Sequence, residues 1–260
     1  MAISERVARL RQQSQDAIPS LSSERAELIT EFYEQHLGPV SAPMRRALAF
    51  KYLMEHKTIH IGDGELIVGE KGPAPQAAPT YPEICCHSLE DLDMLHSREH
   101  VSFAVSPQVR EVYEHSIIPF WRGKTIRELI FREMTPEWRA AYDAGVFTEF
   151  MEQRSPGHTA LDGKIYAAGI EDFKGDIERN LEALDLANDE NAHDKQEQIK
   201  AMHICADALV RFAQRHSELA RELSVQEKDP VRKSELERIA EICLRVPAHA
   251  PADFWEALQH

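Results

Sequence analysis

Between Tyr166 and Leu223 the apolar residues recur at helical intervals, and this run constrains the fold more than any other feature of the chain. The first series is Tyr166, Ile170, Phe173, Ile177, Leu181 and Leu184, spaced by three and four. A second begins at Ile199 and continues through Met202, Ala206, Leu209, Ala213, Ala220 and Leu223. A stripe of that period buries one side of an amphipathic helix, so two stripes predict two long helices packed against each other. His216 keeps the second stripe's spacing and reads as a packed histidine at a core edge. Cys205 and Cys243 sit on helical patterns, HICADALV and ERIAEICLRV, and read as small buried apolar residues.

Upstream, helix punctuation is frequent. Ser106-Pro107 and Thr135-Pro136-Glu137 each set a capping hydroxyl before a proline at the first helical position. Ser88, with Asp91 three residues on, is a variant of the capping box. Helices are predicted at about 4–16, 22–37, 42–57, 88–97, 106–116, 123–133 and 136–144. The period changes in 58–71, where TIHI, the turn Gly62-Asp63-Gly64 and ELIVGEKG predict one or two short strands. Residues 72–83 hold four prolines and should run extended. The expected class is mainly α with a few short strands. Phe254, Trp255 and Leu258 fall on a helix that starts near Ala252, so the chain is expected to be truncated.

Composition narrows the function classes. A net charge of −14 and a pI near 5.4 argue against a nucleic-acid-binding surface, which shows a basic patch. No apolar run approaches the roughly 18 residues of a membrane helix, and MAISERVARLRQQ has no apolar signal core. A cytoplasmic protein with neither nucleic-acid nor membrane partners is expected. Cys86, His87, His96 and His100 match no zinc spacing, and Arg98 and Glu99 between the last two favour a solvated surface, so no metal is expected. Glu171, Asp172, Asp176 and Glu178 read as a solvated helical face. No nucleophile elbow, phosphate loop or dinucleotide fingerprint occurs.

FMEQRSPGHTALDG, residues 150–163, interrupts the helical pattern with charge, proline, two glycines and a histidine. Two readings compete. It is an ordinary surface loop, or it is a pocket in which Pro156 stiffens the backbone and Gly157 lets it approach a ligand closely. In the second case His158 can exchange a hydrogen bond with a small polar substrate. Glu149 and Glu152 flank it as a further pair of acids.

Several segments together bear a likeness to a known family. RRALAFKYLMEHKTIHIGDGELIVGEKG (45–72), APTYPEICCH (78–87), PGHTALDG (156–163) with YAAGIEDF (166–173), and VPAHAPADFWEAL (246–258) resemble the N-terminal part of glycyl radical enzymes, the pyruvate formate-lyase and glycerol dehydratase superfamily. GEKGPAPQAAPTYPEICCHSLEDLDMLHSRE (69–99) and TPEWRAAYDAGVFTEFMEQRSPGHT resemble its hydroxyproline-dehydrating branch most. The resemblance implies a ten-stranded α/β barrel, with residues 1–260 as the N-terminal portion of the domain. It implies removal of water from trans-4-hydroxy-L-proline to give pyrroline-5-carboxylate, with glycerol or propane-1,2-diol as alternative substrates. In such enzymes a glycyl radical, installed by an S-adenosylmethionine and iron–sulfur activating enzyme, generates a cysteine thiyl radical. That radical takes hydrogen from a substrate carbon, and the neighbouring hydroxyl leaves as water. By the same likeness Phe150 and His158 line the substrate pocket, His158 as hydrogen-bond partner or proton donor to the hydroxyl. No cofactor is expected to bind this stretch itself, and the full-length member is expected to form a homodimer in anaerobic metabolism.

The family's Gly-Cys-x-Glu and Arg-Val-x-Gly-Tyr segments do not occur here. Cys85, Cys86, Cys205 and Cys243 are followed at the second position by His, Ser, Asp and Arg. The 260 residues alone are therefore expected to be inactive. Outside the family, the alternative is a complete, non-catalytic helical interaction protein.

Overall fold

The computed structural model describes residues 3–35, 38–146 and 163–260. In chain order these form α1 (Glu5–Asp16), β1 (Ser20–Ser22), α2 (Glu24–Gln35), α3 (Ala42–His56), β2 (Ala77–Pro79), α4 (Leu89–Ser97), α5 (Pro107–Val112) and a π-helical turn (Tyr113–Ile117). They continue through α6 (Ile118–Trp121), α7 (Ile126–Glu133), α8 (Pro136–Asp143), α9 (Lys164–Ala167), α10 (Ile170–Glu182), α11 (Ala192–Gln226), α12 (Pro230–Arg245) and α13 (Phe254–Gln259). The expected class holds, mainly α with short strands. The residues divide into two compact units.

The first unit comprises Met1–Ala17, Glu31–Pro75 and Leu161–His260. Its axis is α11, 35 residues long and so about 52 Å at helical rise. α3, α10 and α12 pack along it. The α11–α12 contact is close because its residues are small. Ala220 and Ala240 are buried, and Ser217 Oγ donates to the Ala240 carbonyl at 2.7 Å. Val68, Leu236, Ile239 and Cys243 complete this core, with Ile61, Leu223 and Trp255 against it. Full burial of a side chain such as Ile239 contributes about 1.5–3 kcal/mol. The stripe beginning at Tyr166 is not one helix. It breaks at Gly169 between α9 and α10, because Gly169 lies against another backbone segment.

The strands expected within 58–71 do not form. The alternation is real, but the backbone there pairs with side chains from distant helices. Arg232 of α12 donates to the carbonyls of Glu65 at 2.7 Å and Gly62 at 3.0 Å. Trp255 Nε1 donates to the Leu66 carbonyl at 2.8 Å. Gln259 binds both polar groups of Val68, at 2.8 and 2.9 Å, in place of a neighbouring strand. These clamps satisfy the buried peptide groups that a ladder otherwise would.

The second unit comprises Ile18–Thr30 and Gln76–Ala160. Its two strands pair in parallel, Ser20 to Ala77, Leu21 to Ala78 and Ser22 to Pro79. β2 falls inside the run expected to be extended. Each strand has three residues, too few for a periodic signal. α5, the π turn and α6 form one continuous helical rod, along which Tyr113, Ile117 and Trp121 are buried at successive four-residue steps. The π turn precedes Pro119. That ring lacks an N–H and excludes the carbonyl four residues back, and Ile118 N–H instead donates to Tyr113 O. Trp121 Nε1 donates to Thr30 Oγ1 at 2.9 Å, and that hydroxyl donates to Ala26 O at 2.6 Å.

Candidate functional site

Phe150 and His158 lie outside the described residues, as do Glu149, Glu152 and Arg154. Both flanks of the segment are described, each within its own unit. On the N-terminal side, Thr135 Oγ1 caps α8 by accepting from Trp138 N–H at 3.2 Å. The helix closes at Gly145, whose φ of 71° is the left-handed geometry that glycine takes at a helix end. Val146 N–H then returns to the Ala141 carbonyl at 3.0 Å.

On the C-terminal side, α9 leads to a junction between two backbone segments. Ile170 N–H donates to Pro247 O at 2.8 Å and Glu171 N–H to Ala248 O at 3.0 Å. Gly169 presses against Ala248 and His249, and a Cβ added to it would overlap the Ala248 carbonyl oxygen and the His249 backbone. Asp172 Oδ2 accepts from Gly169 N–H at 2.9 Å, fixing the first turn of α10. The Val246–Pro247 peptide in this junction is cis. Three of the segments carrying the family resemblance therefore meet their partners inside the first unit. YAAGIEDF joins VPAHAP, and DGELIVGEKG is held by Arg232, Trp255 and Gln259.

APTYPEICCH surrounds a partly buried polar cluster in the second unit. Arg25 donates to Thr80 O at 3.1 Å and to Glu83 Oε2 at 3.1 Å, with a second, shorter contact to Glu83 Oε1, and lies 3.9 Å from the Tyr81 ring centre. Tyr113 is 0% exposed, and burial pushes its phenol far above the ordinary tyrosine range. The Thr80 hydroxyl opposes this in part, yet neither oxygen completes a well-formed hydrogen bond among the described residues. Burial pushes the Cys86 thiol up to about 12, with Cys85 beside it adding to the rise. Burial also lowers the His87 pKa. At neutral pH this group presents a thiol, a phenol and a neutral imidazole, so Cys86 is not an activated nucleophile. Nothing in the sequence distinguished Arg25, Thr80 or Tyr113 as partners; the hydrogen bonds of Arg25 alone span more than 50 residues, beyond the reach of spacing arguments.

Other expected roles find their places. His216 is 3% exposed; its Nδ1 donates to Phe212 O at 2.9 Å, and the two rings meet edge to face. Cys243 is buried, whereas Cys205 is only half-buried, because it borders a groove rather than the α11–α12 contact. The acids of α10 form a surface ion-pair face. Asp176 reaches Lys164 at 3.3 Å and also pairs with Arg179; Lys174 joins Glu171 at 3.2 Å and Asp207 at 2.8 Å. Among the described residues, no three His, Cys, Asp or Glu side chains are grouped to hold a metal ion. No helix of the described residues is long and apolar enough to cross a membrane.

Buried His216 and half-buried His87 set a pH dependence. Burial lowers the pKa of His216 and His87 in the folded chain, whereas the unfolded chain keeps the ordinary value of about 6.5. Between the two values the unfolded state binds more protons, so stability falls as pH drops below about 6.5 toward the folded pKa. His216→Leu should flatten the fall in melting temperature between about pH 7.5 and about pH 5, as measured by scanning calorimetry.

With this geometry in place, the chain was compared with known proteins. Residues 2–260 match the family described as pyruvate formate lyase-like. Over 255 residues the chain is 49% identical to trans-4-hydroxy-L-proline dehydratase of Clostridioides difficile, covering 98% of this chain and 32% of that protein. The crystal structure of hydroxyproline dehydratase from Clostridioides difficile with trans-4-hydroxy-L-proline bound matches with a TM-score of 0.95 at 48% identity, over 99% of this chain and 33% of that one. The glycerol-bound form of the B12-independent glycerol dehydratase from Clostridium butyricum gives 0.91 at 32% identity, over 100% and 33%. The chain thus spans about a third of the length of the relatives it matches.

Proposed function

The chain belongs to the pyruvate formate lyase-like family, and from that premise we propose that the whole protein is a glycyl radical dehydratase acting on trans-4-hydroxy-L-proline. In this proposal residues 1–260 form its N-terminal portion, and the product is pyrroline-5-carboxylate. The observation that carries the substrate assignment is the difference in identity, 48% to the hydroxyproline enzyme against 32% to the glycerol enzyme, at similar backbone fit. That backbone fit supports the second choice, a glycerol or propane-1,2-diol dehydratase.

The radical supplies hydrogen abstraction from the substrate carbon beside the leaving hydroxyl. This chain contributes a shell and one wall of the pocket. Phe150 and His158 line that pocket, and His158 hydrogen-bonds to the departing hydroxyl or protonates it, assisting loss of water. Burying a reactive site behind packed helices keeps water from intercepting it. The close approach at Gly169 serves this end by fixing the backbone at the start of α10. The full-length protein is proposed to dimerise and to depend on a radical S-adenosylmethionine activating enzyme. Sequencing the gene beyond the codon for His260 tests the assignment. The reading frame should continue into a Cys-x-Glu segment and a later Arg-Val-x-Gly-Tyr segment. A stop codon there, with a stable folded product, would favour the non-catalytic interaction protein.

A further inference from the structure

We propose that the groove among α3, α10 and α11 binds an amphipathic carboxylate, an aliphatic or aromatic body ending in one anionic group. The groove lies wholly within the first unit and has a volume of about 820 Å³. It exists because three buried alanines, Ala47, Ala201 and Ala206, form its floor where larger residues would fill the space. Phe173, Ile177 and Met202 line its walls, giving an apolar body somewhere to lie. The volume is that of ordinary small-molecule pockets, about 300–1,000 Å³.

The charge at the groove selects the head group. Lys164 and Asp176 both line it, and they pair with each other at 3.3 Å. Arg46 also lines it, is exposed, and makes no ion pair or hydrogen bond with the described residues. The groove therefore carries one unmatched guanidinium, on a chain whose net charge is −14. A guanidinium presents two parallel N–H donors that fit a carboxylate, and an apolar wall beside it weakens competition from water. A diphosphate or polyanion would need more cations than the lining supplies. This site shares no residue with Phe150 and His158, and the inference stands whether or not the dehydratase assignment does.

Cys205 borders the groove and is half-buried, which provides a local readout. The full-length protein is labelled with N-ethylmaleimide, with and without decanoate, and the Cys205 peptide is followed by mass spectrometry. Decanoate should slow labelling of Cys205 by about tenfold, and decan-1-ol should protect about tenfold less well. Arg46→Glu should remove the protection. Met202→Glu, which sets a carboxylate in the wall, should do the same. Arg46 and Met202 are both exposed, so neither change disturbs helix packing, and an unchanged melting temperature verifies this. Any of four results would overturn the proposal: labelling indifferent to decanoate, equal protection by decan-1-ol, protection that survives Arg46→Glu, or a Cys205 that never labels.

Discussion

Gly169→Ala is expected to destabilise the protein by about 3 kcal/mol. The added methyl has nowhere to go. It would overlap the Ala248 carbonyl oxygen and the His249 backbone, and backbone cannot rotate aside as a long side chain can. Relief requires α10 to withdraw, which stretches the bonds from Ile170 N–H to Pro247 O and from Glu171 N–H to Ala248 O. Those four groups would be left poorly paired, each at a cost of about 1 kcal/mol or more. Gly163→Ala is the matched control, since an added Cβ there meets nothing within 4 Å. It should change stability by no more than about 0.5 kcal/mol. Urea unfolding of both variants separates a local packing clash from a general intolerance of alanine. Equal midpoints for the two would remove the close-approach account of Gly169.

His158→Ala in the full-length enzyme is expected to lower kcat for trans-4-hydroxy-L-proline by about 10²–10⁴-fold, the range for loss of a positioned proton donor. The physical reason is the poor leaving group. Hydroxide departs readily only when hydrogen-bonded or protonated as the carbon–oxygen bond breaks. A residue that only lines the pocket would raise KM and leave kcat nearly unchanged, so the two parameters must be measured separately. His158→Gln, which keeps a hydrogen-bond donor but not a titratable one, distinguishes the two proposed modes. Recovery of most of the rate with glutamine points to hydrogen bonding; a rate as low as that of alanine points to proton transfer.

The helices were legible because their signals are local. Ser88 with Asp91, Ser106 with Pro107 and Thr135 with Pro136 each announce a helix start, and each caps one. His216 was legible for the same reason, since its place on the apolar stripe of α11 made it a packed residue. The segment 58–71 was misread because alternation reports which side chains face inward, not what satisfies the peptide groups. Its partners Arg232, Trp255 and Gln259 lie more than 160 residues away in sequence. The break at Gly169 was hidden for a related reason. An apolar period runs across it, and only the approach of Ala248 shows why a glycine stands there. The polar cluster of Arg25, Thr80 and Tyr113 has no sequence signature, because its members come from the start of α2, the residue after β2 and the π turn. As for Phe150 and His158, spacing left two readings of their loop open, and the roles proposed for them rest on family likeness.

Dehydration of hydroxyproline is the activity proposed for the whole protein. The full-length protein, activated anaerobically by a radical S-adenosylmethionine enzyme, is offered trans-4-hydroxy-L-proline, glycerol and propane-1,2-diol separately, and turnover of each is measured. Consumption of hydroxyproline with equimolar pyrroline-5-carboxylate is expected, with little or no turnover of either diol. Turnover of a diol by a protein that carries the radical yet leaves hydroxyproline untouched would contradict it.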